Sequence, residues 1–257
     1  MLIPVTDGKL VPSLVRACGF EPVFGSGILT ALRAYGIRDP RARFWVQMDA
    51  GKEAAALYLA GDVLMISAAE HAEASEVADL IRAENVRETD TNWAQCAALQ
   101  KILGGTTESS FYMVYTGGTV EGAFPEMQRG EPETVFEVLQ RSHEYYRTHL
   151  TFETWSANLR QKLERGLMES YQLSVDGEVI GAGSIASEDD GCACIAAVAV
   201  VPEHRHRGWG SYISRFLVQR IQEKGKTPRL ISGYDEVAEL YRKIGFEPCG
   251  RWGELYL

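Results

Sequence analysis

The sequence predicts an α+β protein in two domains, the second built on a mixed, mostly antiparallel sheet flanked by helices. Three observations carry this expectation. Over the first half, extended and helical apolar patterns alternate, as in a mixed α/β domain. From about Gly117 to Gly130 all periodicity is lost among Gly, Pro and polar residues, which marks a domain boundary. Beyond it, Asp176-Gly177 and Asp190-Gly191 each join two apolar segments, a hairpin signal used twice. The expected domains are residues 1–120 and 124–257.

Taken in order, "RARFWVQM" (Arg41 to Met48) reads as a strand, and "AAALYLAGDVLMISAA" (Ala54 to Ala69) as two strands joined at Gly61-Asp62. "SEVADLIRAEN" is a helix with Ser75 as its expected N-cap and Val77, Leu80 and Ile81 on one face. "WAQCAALQKILGG" is a second helix, stopped by Gly104-Gly105, and "SSFYMVYTGG" a strand. In the second half, "EPETVFEVLQRSHEYY" reads as a helix with Pro132 in its first turn, and "FETWSANLRQKLERG" as another ending before Gly166. Three strands follow through the two Asp-Gly turns, the last being "CACIAAVAVV". A helix with Ile213, Phe216, Leu217 and Ile221 on its buried face then runs to Gly225. "RLISGY" is a strand, "DEVAELYRKIG" a helix, and "FEPCGRWGELYL" a closing hairpin.

The bulk composition narrows the function. With 26 Lys and Arg against 35 Asp and Glu, the net charge is −9, which argues against a nucleic-acid partner and for a cationic small molecule. No apolar run is long enough to cross a bilayer, and "MLIPVTDGKL" lacks a basic start followed by a long apolar core. The five cysteines are an odd number, scattered along the chain, and read as reduced thiols. The expectation is a cytoplasmic protein without nucleic-acid or membrane partners, monomeric or a homodimer.

Against that acidic background, "VPEHRHRGWGS" (Val201 to Ser211) gathers positive charge on one loop between a strand and a helix. The first N–H groups of a helix lack internal partners and sit at the positive end of its dipole. Small residues there let an anion reach the backbone, and Arg205, His206 and Arg207 add charge around it. The loop is therefore a site for a phosphorylated ligand. It is not a dinucleotide fingerprint, because Gly208-Trp209-Gly210 lacks the third small residue, and no Gly-Lys-Ser/Thr of a P-loop is present.

Val200-Val201-Pro202-Glu203-His204-Arg205, followed by Gly208-Trp209-Gly210, resembles the V-x-P-E-x-[RQ]-x-x-G-x-G signature of the GNAT superfamily of N-acetyltransferases. "AELYRKIGFEPCG" is similar to the same family's A-x-x-L-Y-x-K-x-G-F element. The resemblance covers about Phe124 to Leu257, and the first half is only loosely similar to the degenerate N-terminal domains of two-domain members. It implies acetyl-CoA as co-substrate and direct transfer of an acetyl group to a small-molecule or peptide amine in a ternary complex. It further implies that the backbone of Val198, Ala199 and Val200 bonds the pantetheine arm. Arg205, His206, Arg207, Gly208, Trp209, Gly210 and Ser211 would hold the pyrophosphate, and Tyr241 would protonate the leaving thiolate as general acid. Without the resemblance, Tyr241 reads as a core residue on the stripe Val237, Leu240, Ile244.

Several readings stay open. Asp235 departs from the Asn common in the family and can cap its helix. The general base is unassigned among Glu203, Glu169, Glu254 and the pair Asp189-Asp190. Cys192, Cys194, His204 and His206 could in principle chelate zinc, but their spacing matches no usual zinc module, and no metal is expected. The rival class is a non-catalytic CoA-binding sensor or scaffold, which would have no use for an acid at Tyr241. The first domain has no glycine loop and is expected not to bind CoA. Its acidic and aromatic stretches "FWVQMD" and "ENVRETDTNW" suggest a wall of the amine pocket.

Overall fold

The structure, a computed structural model, describes the backbone of residues 1–257 and every side chain except those of residues 149, 158 and 236. The chain divides into two compact units, neither of them one continuous stretch. The first holds Met1–Tyr112, Ile231–Asp235 and Pro248–Leu257, the second Met113–Leu230 and Glu236–Glu247. The fold is α+β, with mostly antiparallel strands and flanking helices in each unit. No helix among the described residues is long and apolar enough to cross a membrane.

The first unit opens with β1 (Leu2–Pro4), α1 (Val11–Ala17) and α2 (Pro22–Tyr35), in a stretch where the pattern alone suggested no element. Both helices carry proline in the first turn, where its missing N–H costs nothing. There follow β2 (Arg43–Asp49), β3 (Lys52–Ala60), β4 (Val63–Ala68), α3 (Ala74–Glu84), β5 (Glu88–Asn92), α4 (Trp93–Leu103) and β6 (Thr106–Tyr115). The hairpin at Gly61-Asp62 forms as expected between β3 and β4. The α3 start does not: Glu73, not Ser75, takes the cap position. The buried amide of Gln47 on β2 accepts from Glu73 N at 3.0 Å and donates to Glu73 O at 2.9 Å, so a tertiary bond sets where this helix begins.

Strand alternation separates two cores. Leu57, Leu59, Leu64 and Ile66 face Val77, Ile81 and Leu99 of α3 and α4, while Phe44, Val46 and Tyr58 face Leu14 and Ile28 of α1 and α2. The expected closing hairpin is instead one long strand, β12 (Phe246–Tyr256), antiparallel to β5 from Trp252↔Asn92 to Tyr256↔Glu88. Its glycine does not turn the chain. A Cβ on Gly253 would stand 2.6 Å from Cys96 Cβ, so the missing side chain admits α4 against the strand.

The second unit holds β7 (Met127–Arg129), α5 (Pro132–Ser142), α6 (Glu144–His149), α7 (Phe152–Glu164), β8 (Glu169–Val175), β9 (Glu178–Glu188), β10 (Cys192–Val200), α8 (Trp209–Glu223) and, but for Ile231 and Asp235, β11 (Thr227–Ile231) and α9 (Asp235–Ile244). The single helix expected over "EPETVFEVLQRSHEYY" is two, because His143 is extended (φ −139°, ψ 129°) between α5 and α6. The strand order is β11-β10-β9-β8-β7, antiparallel except for β10 and β11. Helix α8 lies close on β9: a Cβ at Gly183 would sit 2.7 Å from Ile213 and 2.9 Å from Leu217.

Two features of β10 shape what lies beyond it. It pairs with β11 only from Cys192↔Thr227 to Ile195↔Leu230. A register shift against β9 then follows between Ala196 and Ala199, and Ala197 takes φ +55°. The two parallel strands therefore part at their carboxyl ends, where open α/β sheets form ligand crevices.

Candidate active site

A cavity of about 430 Å³ occupies this parting. Val198, Ala199 and Val200 of β10 form one wall; Val237, Leu240 and Tyr241 of α9 another; and the loop into α8 closes one end. From Val201 the chain makes a short 3-10 turn, Pro202–His204, before reaching α8. His206 (φ +62°) and Gly208 (φ +85°) are left-handed, a backbone pattern that turns successive N–H groups toward one point. The backbone N–H groups of His206 through Ser211 find no acceptor among the described residues. Gly208 is the N-cap of α8 and offers no capping side chain, so the helix start stays open to an external anion.

Glycine serves differently at the two positions of this loop. At Gly208 the left-handed φ requires it. At Gly210 a Cβ would meet only Leu240 Cδ2, at an ordinary 3.7 Å, so nothing in the protein demands a bare backbone there. What the absence of a side chain leaves is room for a ligand.

The basic residues divide their work. Arg205 donates through Nε to Val200 O (3.1 Å) and through Nη2 to Ser142 O (2.5 Å), so its guanidinium braces the end of β10 against α5. His206 lines the cavity together with His204, while Arg207 is exposed and not part of the lining. Tyr241 is 7% exposed and packs edge-on against Phe246 at 5.7 Å between ring centroids. Burial pushes its hydroxyl up to about 12, so it stays protonated at neutral pH.

A family model described as the acetyltransferase (GNAT) family matches residues 133–246, which include the whole of this cavity's lining. This part of the chain is a GNAT domain. Solved structures with the same fold extend over nearly the full chain. A GCN5-related N-acetyltransferase from Kribbella flavida superposes with a TM-score of 0.62 at 16% identity, covering 93% of this chain and 95% of its own. A GNAT-family acetyltransferase from Colwellia psychrerythraea gives 0.60 at 12% identity, covering 100% and 99%. A tandem GNAT protein from the clavulanic acid biosynthesis pathway gives 0.60 at 13%, covering 99% and 97%. No curated protein sequence matches. The chain thus has a tandem GNAT-like fold, and the family's chemistry is acyl transfer from an acyl-CoA.

The carboxylates singled out as bases do not line the GNAT cavity. Glu203 is exposed, 3.6 Å from Arg141. Burial alone would raise Glu169, but bonds from Lys224 (2.7 Å) and Tyr171, with Arg129 at 3.2 Å, hold it below its ordinary value. Asp189 accepts from the N–H of Gly191 and of Cys192, both at 2.7 Å, and so shapes the β9–β10 turn, where Asp190 is exposed. Glu254 lies in the first unit, its carboxylate within 4.8 Å of those of Asp90 and Glu88. Burial first, and its neighbours second, push Asp90 up to about 7 and Glu254 up to about 8. Asp235 accepts from Ser110 Oγ at 3.0 Å, with Arg251 at 3.8 Å. Cys192 and Cys194 are buried on β10 and, among the described residues, form no ligand cluster with His204 and His206. The contributions of His204 and Leu240 to the lining escaped the sequence reading. The parallel register that opens the strands is a tertiary fact without a local signature.

Proposed function

We propose that the GNAT domain transfers an acetyl group from acetyl-CoA to a primary amine, by direct attack of the amine on the thioester with both bound. The observation that carries this reading is the row of unpartnered N–H groups from His206 to Ser211, opening on the cavity that Tyr241 lines. Charge-assisted hydrogen bonds from such a row to a pyrophosphate contribute about 1.5–3 kcal/mol each. Beyond its last pair with β11, β10 lines the cavity from Val198 to Val200, and with Val200 O taken by Arg205 Nε, an amide-bearing arm would lie beside the backbone ahead of it. These features fit a long phosphorylated thioester lying from the loop toward α9.

The bound thioester supplies an activated acyl group; the chain supplies position and a hydrogen-bond donor. In this reading Tyr241 donates its hydroxyl hydrogen to the departing sulfur. Full transfer from a phenol near 12 to a thiolate of ordinary pKa, about 8.5, is uphill by roughly 3.5 units, or about 5 kcal/mol. Tyr241 therefore acts first as a hydrogen-bond donor to the charge developing on sulfur; as the C–N bond forms and the C–S bond breaks, the nitrogen gives up one proton to solvent and the departing thiolate takes one up from solvent, so the phenol ends the turnover protonated. No carboxylate lines the cavity among the described residues, so the chain's role lies in holding the donor and its leaving group. The test is thiol release from acetyl-CoA across polyamines, aminoglycosides, amino acids and peptide N-termini, with the N-acetyl product identified by mass. Release that no amine accelerates would refute the reading.

A further inference from the structure

The first unit, like the second, holds one parallel strand pair whose pairing stops short of its carboxyl ends. Its parallel strands β4 and β5 pair only from Val63↔Glu88 to Met65↔Asp90, so their carboxyl ends part as well. There the Asn92 amide bridges to Ala68 O at 3.1 Å, and a cavity of about 500 Å³ lies over this end, lined by Ala68 at the end of β4, Asn92 at the end of β5, and the first turn of α4. Its chemistry is unlike that of the GNAT cavity. The chain leaving β4, "AEHAE" from Ala69 to Glu73, contains no glycine and places Glu70 on the lining, so it presents a carboxylate where a phosphate loop would present bare backbone.

Three groups in this cavity point to a ligand. Gln95 is 6% exposed and lines it from the first turn of α4, yet its amide nitrogen finds no acceptor among the described residues. A buried donor left so costs about 1–3 kcal/mol until an oxygen reaches it. The N–H groups of Trp93 and Ala94 likewise find no acceptor among the described residues, Asn92 Oδ1 being engaged by Gln95 N at 2.9 Å. They stand at the positive end of α4, where an anion is favoured. Arg251 adds a half-exposed guanidinium on the rim, held by Ser109 Oγ at 3.1 Å over the ring of Phe111, with Asp235 at 3.8 Å. Glu21 and the exposed Glu70 supply negative charge on the same lining.

We propose that this cavity is a binding site for a small zwitterion of the α-amino-acid class. The ligand's carboxylate sits on the α4 N-terminus and Gln95, and its ammonium faces Glu70 and Glu21. A ligand with only phosphates meets two carboxylates; one with only an ammonium leaves Gln95 and the helix end unpaired. The full-length protein is titrated calorimetrically with each proteinogenic L-amino acid, and with the carboxamide and N-acetyl derivative of whichever binds. The variants are Gln95→Leu and Glu70→Gln, with CoA binding at the GNAT cavity as the control for folding. The expected result is saturable binding of at least one free amino acid, weakened at least tenfold in either derivative and in either variant, with CoA affinity unchanged. The proposal is overturned if no amino acid binds at millimolar concentration, if the carboxamide binds as well as the acid, or if both variants, with CoA binding intact, bind as wild type.

Discussion

Replacing Gly210 by Ala adds one methyl group in the first turn of α8, where the nearest protein atom would be Leu240 Cδ2 at 3.7 Å. That distance is ordinary contact, and the residue lies outside the left-handed region, so the fold accepts the change. Alanine in place of glycine in a helix gains up to about 1 kcal/mol. In a chain of this size that raises the thermal midpoint by roughly 2–4 °C. Toward the ligand the sign reverses. The methyl stands where an anion must approach the N–H groups of Gly210 and Ser211, and losing one such bond costs about 1.5–3 kcal/mol. At about 1.4 kcal/mol per tenfold, CoA binding should weaken by about ten- to a hundredfold. Calorimetric titration with CoA and a melting curve on the same sample read both effects. Gly208→Ala gives the contrast: its φ of +85° strains any side chain, at a cost of about 1 kcal/mol or more in stability. A Gly210→Ala protein that melts higher and binds CoA as tightly as wild type would refute the cradle.

Three other outcomes are expected. Tyr241→Phe should lower turnover by about 10²–10⁴-fold with CoA affinity unchanged, read by steady-state kinetics beside titration; unchanged turnover would leave Tyr241 a core residue. Gly253→Ala drives a Cβ to 2.6 Å from Cys96 Cβ and should cost about 1–3 kcal/mol in denaturant melts, relieved when Cys96 is also made smaller. In the folded chain Asp90 and Glu254 titrate near 7 and near 8, against about 4 when unfolded. The folded state therefore holds more protons between those values, and stability falls as pH rises from about 4 to about 8, by at most about 1.4 kcal/mol per unit for each proton. Screening on this partly exposed strand face reduces that figure. Glu254→Gln should flatten the fall and melt higher than wild type at alkaline pH; an equal slope in both proteins would show that the cluster is not its source.

Local chemistry made the second half legible. The Asp-Gly turns, the loop from Pro202 to Ser211 and the stripe around Tyr241 are patterns of neighbours in sequence, and each has its structural counterpart. What went unread depends on distant partners. Gln47 moves the start of α3 because its amide occupies Glu73 across the fold. Gly250 and Gly253 resemble turn residues in sequence but lie in one strand: at Gly253 Cys96 leaves no room for a Cβ, and at Gly250 the Tyr112 ring, 3.2 Å away, would have to give slightly. Arg205 lines the cavity, yet two of its donors go to the carbonyls of Val200 and Ser142, a division of work no local pattern shows. The short β5, with its charged residues Glu88 and Asp90, carries no apolar alternation and was invisible as a strand.

The central claim is that one cavity both holds an acyl-CoA and passes its acyl group to an amine. The most direct measurement follows free thiol and N-acylated amine together, in wild type and in Tyr241→Phe, with acetyl-CoA and the best amine from the panel. Wild type should give equal amounts of the two products, and the variant should lose most of both rates while CoA still binds. Tight CoA binding with no amine-dependent thiol release from wild type would contradict it and leave a binding module in its place.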